Sequence, residues 1–170
     1  ISLINAKTAL QQSLDNQPNT TGMTEATIQN YNAKRQKAEQ AIQKANKVIE
    51  NAQPSVQQVS AEKSKVEQAL NELNNAKSAL RADKEELQHA YDQLIQPTDL
   101  NNKKPATINA YNQRYQQFSN ELNNTKTNAD RILKEQNPSV ANVNNALNKV
   151  REVQQKLNEA RALLENKENN

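Results

Sequence analysis

The only glycine among the 170 residues of this chain is Gly22, and this scarcity restricts the folds that the sequence can adopt. Glycine provides the positive φ angles of tight hairpin turns and of nucleotide-binding loops, so the sequence is poorly suited to either. Alanine, leucine, glutamine, glutamate and lysine, which are good helix formers, are abundant instead. The composition therefore predicts either an all-α fold or a disordered chain.

The spacing of the apolar residues decides between order and disorder. Hydrophobic residues make up 34% of the chain and the mean hydropathy is -1.06, values that are typical of disordered chains more than of globular ones. Along most of the chain, however, apolar residues recur in alternating steps of three and four, and the series that begins at Ile28 includes only one charged member, Arg35. This spacing places them on one face of an α-helix. The sequence predicts amphipathic helices that share a thin core.

The chain contains an internal repeat. The hexapeptide TIQNYN at residues 27–32 recurs as TINAYN at residues 107–112, and QPSVQQV at residues 53–59 recurs as NPSVANV at residues 137–143. The separation between copies is 80 residues for the first pair and 84 for the second, a difference of about one helical turn. We therefore expect the second copy to have a shorter first loop and a middle helix that is one turn longer.

Prolines and serines mark the predicted helix ends. Pro54 and Pro138 lie at short turns between helices, Ser55 and Gln58 have the spacing of a capping box, and Pro105 suits a first helical turn. The predicted helices are residues 1–16, 24–52 and 56–83 in the first copy, and residues 84–96, 105–136 and 140–167 in the second.

The two copies are predicted to share a helix. Neither proline nor glycine interrupts residues 56–96, so one continuous helix of about 60 Å is expected there. The predicted architecture is all-α: two tandem three-helix bundles, residues 1–83 and 84–170, joined by this long shared helix in an elongated rod. A dimeric coiled coil is the alternative, but the short turns and the few Leu and Ile residues favour a monomer.

Catalytic and metal-binding chemistry lacks its usual residues. The chain has no cysteine and a single histidine, His89, which we expect to lie at the surface. The carboxylates of Glu85 and Glu86 lie in a charged stretch with no apolar pocket to raise a pKa. We therefore expect no enzyme activity, no cofactor and no metal site.

The charge pattern argues against nucleic acid as a partner. The net charge of +3 is the difference between 22 basic and 19 acidic residues, which are interspersed. Basic pairs such as Lys34–Arg35 and Lys103–Lys104 are isolated from one another. No apolar run approaches the roughly 20 residues of a membrane-spanning helix, so no membrane insertion is expected. The absence of an initial Met predicts that the chain is a segment of a longer protein.

The repeated tyrosines are predicted to be core residues. Tyr31 and Tyr111 each follow an isoleucine by one turn on the same helical face. Tyr115 and Phe118 stand where the first copy has Arg35 and Ala38, which predicts a larger aromatic core in the second copy. Two leucines, Leu70 and Leu122, are predicted core positions, and Tyr91 is predicted to pack at the junction between bundles.

Together, the TIxxYN pattern, the Ala-rich middle helix, the PSV turn and the final segment resemble a known module. The final segment reads VEQALNELNNAKSAL at residues 66–80, and its counterpart spans residues 143–160. The pattern resembles the FIVAR module, a three-helix repeat of giant Gram-positive surface proteins, and covers nearly the whole chain as two tandem copies. It is similar in particular to repeats of the staphylococcal extracellular matrix-binding proteins.

This resemblance implies a function. It implies a cell-surface, wall-attached adhesin repeat that binds fibronectin and helps attachment and biofilm formation, with the chain monomeric within a longer repeat array. No binding motif carries over to individual residues, so the protein-binding surface is unassigned. A purely structural spacer in a giant cell-wall protein is the alternative, and the resemblance disfavours a third possibility, a cytosolic scaffold.

Overall fold

The computed structural model describes residues 2–168, and the regular secondary structure of that range is α-helical. The helices are α1 (Ser2–Asp15), α2 (Glu25–Glu50), α3 (Val56–Ser78), α4 (Glu85–Leu94), α5 (Pro105–Lys134) and α6 (Val140–Arg161). The predicted all-α class is therefore confirmed. The chain forms two compact units that divide between Arg81 and Ala82.

The predicted continuous helix over residues 56–96 is wrong. Helix α3 ends at Ser78 and α4 begins at Glu85, so residues 79–84 are not helical. Tertiary contacts outweigh helix propensity there: Leu80 is buried in the core of the first unit, and the carbonyl oxygen of Arg81 accepts a 2.8 Å hydrogen bond from the backbone nitrogen of Thr24. The elongated rod was predicted from this shared helix, so that prediction is no longer supported.

In the first unit, α1, α2 and α3 all contact one another around a single core. The core is built from small and medium side chains, with one aromatic ring, and comprises Leu3, Leu10, Leu14, Tyr31, Ala38, Ile42, Ala45, Val66, Ala69, Leu73, Ala76 and Leu80. Ile28, Val59 and Leu70 are only partly buried against it. The thin core that the composition predicts is present.

In the second unit, α4, α5 and α6 likewise contact one another. Its core includes Tyr111 and Phe118, and Tyr115 packs against it with ring centroids 5.9 Å from Tyr111 and 5.6 Å from Phe118. These separations are typical of favourable aromatic pairs. The predicted larger aromatic core of the second copy is confirmed. Tyr91 is partly buried against this same core.

The length difference between the copies lies in the helices. The middle helix has 26 residues in the first unit and 30 in the second, so the predicted extra turn is confirmed. The sequence predicted that a shorter first loop would compensate for this extra turn, and that prediction is wrong. The first helix shortens instead, from 14 residues in α1 to 10 in α4. Pro97 accounts for this, since the residue before a proline disfavours the helical conformation.

The predicted helix starts at serine and proline are present. The Ser55 hydroxyl accepts a 3.0 Å hydrogen bond from the backbone nitrogen of Gln58, whose side chain accepts one of 2.9 Å from the Ser55 nitrogen. Ser139 caps α6 through one bond, in which its hydroxyl accepts from the backbone nitrogen of Asn142 at 3.0 Å. Pro105 is the first residue of α5. These contacts satisfy backbone N–H groups that lack a partner inside the helix.

Candidate interaction surfaces

The residues with potential for catalysis are dispersed on the surface. His89 is exposed, as predicted, and its neighbour Gln93 lies 3.3 Å from the ring nitrogen. Glu86 is exposed and pairs with Arg151 at 3.3 Å. Over residues 2–168 no cluster of histidines and carboxylates has the arrangement of a metal site. In the same range no helix combines the length and the apolar character needed to cross a bilayer.

The threonine of the repeated hexapeptide joins the start of the middle helix to the segment that follows the third helix in each unit. In the first unit the Thr27 hydroxyl donates to the carbonyl oxygen of Thr24 at 3.0 Å and accepts from the backbone nitrogen of Arg81 at 3.4 Å. In the second unit the Thr107 hydroxyl donates to Lys104 at 2.7 Å and accepts from Glu165 at 3.2 Å. This threonine therefore holds the segment that follows the third helix, a role that periodicity alone does not indicate.

That segment also pairs through its backbone with the loop before the middle helix. In the second unit the Lys104 nitrogen donates to Glu165 at 2.8 Å, the Lys167 nitrogen donates to Asn102 at 2.9 Å, and Lys103 forms an antiparallel bridge with Asn166. Asn102 has a φ angle of 57° and Gly22 one of 80° at the corresponding place. The single glycine thus occupies a turn that needs a positive φ.

The predicted core tyrosines are buried, but their hydroxyl groups differ. The Tyr111 hydroxyl lies 2.7 Å from the hydroxyl of Thr98, which accepts a 2.9 Å hydrogen bond from Arg161 Nε. The Tyr31 hydroxyl is buried and has no hydrogen-bond partner. A buried hydroxyl without a partner lowers stability, whereas a paired one is roughly neutral or favourable.

This difference predicts opposite effects of removing the two hydroxyl groups. We expect Tyr111→Phe to lower the free energy of unfolding by about 0.5–1.5 kcal/mol, because the Thr98 hydroxyl loses a hydrogen-bond partner. Tyr31→Phe is expected to leave stability unchanged or to raise it. Urea denaturation followed by circular dichroism measures both, and the two variants control for each other. Equal losses in both variants would contradict the assigned hydrogen bonding.

A basic side chain near the end of each third helix contacts the end of the first helix. Lys77 Nζ donates to the carbonyl oxygens of Ser13 and Asn16, the latter at 3.0 Å, and burial lowers the pKa of Lys77. In the second unit Arg161 Nη2 donates to the Gln96 carbonyl at 2.9 Å. Cations at a helix C-terminus satisfy free carbonyl groups and the helix dipole.

Each unit has a groove between its middle and third helices. The groove of the first unit has a volume of 290 Å³ and is lined by residues that include Lys37, Ala41 and Glu62. The groove of the second unit measures 450 Å³ and its lining includes Glu121 and Thr125. Glu62 Oε1 and Thr125 Oγ1 are buried without a partner in these grooves. The repeated groove is therefore polar, with different charges in the two copies.

Ion pairs across α5 and α6 set the charge of the second groove. Glu121 accepts hydrogen bonds from Lys149 at 2.8 Å and from Lys156 at 2.7 Å, and these contacts hold the pKa of Glu121 below its usual value. The contact with Glu121 raises the pKa of Lys149. The first unit has the opposite polarity, with Lys34 on α2 3.9 Å from Glu72 on α3.

The lowered pKa of Glu121 predicts a pH-dependent contribution to stability. A carboxylate with a depressed folded-state pKa stabilises fully above its unfolded value and loses this contribution as pH falls through the folded value. We expect Glu121→Gln to lower the urea midpoint at pH 7 and to have progressively less effect below pH 4.5, the ordinary value of the group. In a Lys149→Gln/Lys156→Gln background the effect should vanish. A constant effect at all pH values would contradict this prediction.

A third groove, the α4–α5 groove, lies in the second unit beside the loop after α4. It measures 390 Å³, and Ile95, Leu100, Tyr115, Lys126 and Arg161 are among its lining residues. Ile95 is 42% exposed and Leu100 is 38% exposed, so two large aliphatic side chains border the groove in contact with solvent. Its chemistry combines aliphatic, aromatic and cationic groups, which suits a protein segment better than a metal ion or a nucleotide.

Comparison of the sequence with known protein families identifies the family to which the chain belongs. The model of the FIVAR domain family matches residues 6–81 and 90–158. The chain belongs to the FIVAR family. The predicted resemblance is therefore confirmed, and each match contains the repeated hexapeptide. FIVAR is a repeat of matrix-binding proteins and is not a family of enzymes.

The FIVAR relatives of this chain include large staphylococcal proteins. Extracellular matrix-binding protein EbhB of Staphylococcus aureus strain N315 is 39% identical over 158 residues, which is 93% of this chain and 4% of EbhB. Extracellular matrix-binding protein ebh of strain NCTC 8325 / PS 47 has the same identity over 93% of this chain and 2% of its own length. The chain thus spans a few per cent of these relatives.

A solved structure also matches the FIVAR modules. It comes from the characterization of Embp-mediated Staphylococcus epidermidis adherence to fibronectin, is 26% identical, and covers 95% of this chain and 97% of its own. The TM-score is 0.35.

Proposed function

We propose that this chain is a non-catalytic repeat of a bacterial cell-surface adhesin that binds an extracellular matrix protein, with fibronectin as the partner. The 39% identity over 93% of the chain to proteins named for extracellular matrix binding supports this function. Residues 1–83 and 84–170 act as two FIVAR modules within a longer, wall-associated array. Attachment to host matrix and biofilm formation are the biological outcomes.

The surface of the chain suits weak binding by each module. Its exposed faces are polar, and ion pairs between exposed side chains contribute little energy, so a single interface made from such side chains is expected to be weak. Linked copies raise the effective concentration of the second binding event and increase avidity by roughly 10²–10⁴ without new contacts. A repeated module thus provides strong attachment through many weak interfaces.

Surface plasmon resonance over immobilised fibronectin tests this function. The chain is injected once as a monomer and once as a biotinylated tetramer on streptavidin, and immobilised serum albumin serves as the control surface. We expect weak binding of the monomer and at least about 10²-fold tighter apparent binding of the tetramer. A tetramer that binds neither fibronectin nor other matrix proteins would contradict the adhesin function and favour the structural spacer.

The salt dependence of the same binding gives a second readout. Net charge is only +3, so we expect affinity to change modestly with ionic strength. A steep loss of binding with added salt would indicate non-specific electrostatic attraction, which the albumin surface also detects.

A further inference from the structure

The α4–α5 groove combines features of a docking site for a protein segment. Its volume of 390 Å³ falls in the usual range of about 300–1,000 Å³ for ligand pockets. Buried Leu94, Leu122 and Leu157 contribute to its lining, while Ile95 and Leu100 lie exposed beside it. An apolar side chain of a partner that entered the groove would remove this aliphatic surface from water.

The positive charges of the groove favour a partner segment that carries negative charge. Lys126 and Arg161 are its charged lining residues, and no carboxylate is among the described residues that line it. Arg161 donates to the uncharged oxygens of Thr98 and Gln96, so its positive charge is not neutralised by those contacts. A partner segment with a carboxylate next to its apolar side chain would complement both cations.

The first unit provides an internal comparison. Leu100 precedes the positive-φ residue Asn102 by two positions, and Thr20 precedes the corresponding Gly22 by the same distance. The aliphatic side chain at the border of the groove is therefore replaced by a small polar one in the first unit. The two FIVAR copies thus differ in the residues that would receive an apolar group.

We propose that the α4–α5 groove of the second unit docks a segment of a partner protein that carries an acidic residue beside an aliphatic or aromatic residue. The apolar side chain packs between Ile95, Leu100 and Tyr115. The carboxylate lies against Lys126 and Arg161. The two copies then have different roles within one repeat pair, since the first unit lacks the aliphatic border at Thr20.

Selection of displayed random peptides on the immobilised chain tests this proposal. Peptides that bind are counter-selected on the double variant Ile95→Ser/Leu100→Ser, and those that bind only the original chain are synthesised. We expect them to contain acidic residues beside leucine, isoleucine or phenylalanine. Titration of a ¹⁵N-labelled chain with one such peptide should shift the amide signals of Ile95, Leu100 and Tyr115.

Matched variants distinguish docking from unfolding. We expect Lys126→Glu to weaken binding of the selected peptide by about tenfold or more, whereas Val56→Ser, at a residue that is 86% exposed on α3, should not change it. All variants should remain cooperatively folded, with only a small drop in melting temperature for the double variant, because the substituted residues lie outside the fully buried core. Enrichment of basic peptides, equal binding to the double variant, or failure of any peptide to be enriched would overturn the proposal.

Discussion

Substitution of Leu122 by alanine is expected to lower the free energy of unfolding of the second unit by about 2–5 kcal/mol. Leu122 lies in α5, is 1% exposed and belongs to the same core as Phe118 and Val150. Truncation removes apolar atoms from the core and leaves a cavity that neighbouring side chains fill only in part. Leu122 is among the largest fully buried side chains of the described residues, so its truncation removes a substantial part of this core.

Leu100→Ala is the matched control, because Leu100 belongs to the same unit and is 38% exposed. We expect a loss below about 1 kcal/mol there, since much of that side chain already contacts water. Urea unfolding followed by circular dichroism gives the free energies, and amide hydrogen exchange of α5 and α6 locates the loss. Equal effects of the two substitutions would contradict the assignment of Leu122 to the core.

Substitution of Leu73 by alanine is expected to have an effect of similar size on the first unit. Leu73 lies in α3 and is 0% exposed, so its removal should lower the free energy of unfolding by about 2–5 kcal/mol. Leu70 lies one turn earlier but is only partly buried against the same core. We expect Leu70→Ala to cost about half as much or less, because fewer buried contacts are lost.

The pair Leu73→Ala and Leu70→Ala also separates what periodicity predicts from what packing decides. Both residues belong to one helical series in the sequence, and Leu70 was predicted to contact the core. Only one of them is fully buried. If the denaturation curves of the two variants coincide, the difference in burial has no effect on the free energy of unfolding.

Helix positions were predictable because they depend on local features of the sequence. Apolar spacing located the helical segments but did not separate α3 from α4; Ser55 and Ser139 marked two starts through their side-chain caps, and Pro105 marked a third. Each of these signals acts within about one turn of the helix. Surface exposure of His89 and burial of Tyr31 were predictable for the same reason.

The break at residues 79–84 was not predictable from local features. Leu80 leaves the helical path to enter the core of the first unit, and Arg81 pairs with Thr24, which lies far away in sequence. Lys84, expected to lie within a helix, instead donates through Nζ to the carbonyl oxygen of Leu133 at 3.1 Å. These contacts exist only after the helices have packed.

The candidate interaction surfaces were even less accessible to sequence analysis. Lys126 and Arg161 lie far apart in the sequence from Ile95 and Leu100, and the fold brings them to one groove. Leu100 belongs to a loop, where no helical spacing indicates its position. The recurrence of a threonine at the same place in both copies, Thr27 and Thr107, was one available signal for the contact with the segment after the third helix.

The hydrogen bond between Arg81 and Thr24 affects how the first unit responds to a stretching force on the polypeptide. A pulling force on the chain after Arg81 loads the hydrogen bond from the Thr24 nitrogen and the contact of Thr27 with Arg81 before it reaches α3. These hydrogen bonds must break before the force can separate the helices. Under a stretching force, the first unit is therefore expected to open first at these backbone contacts, while its helical core remains folded.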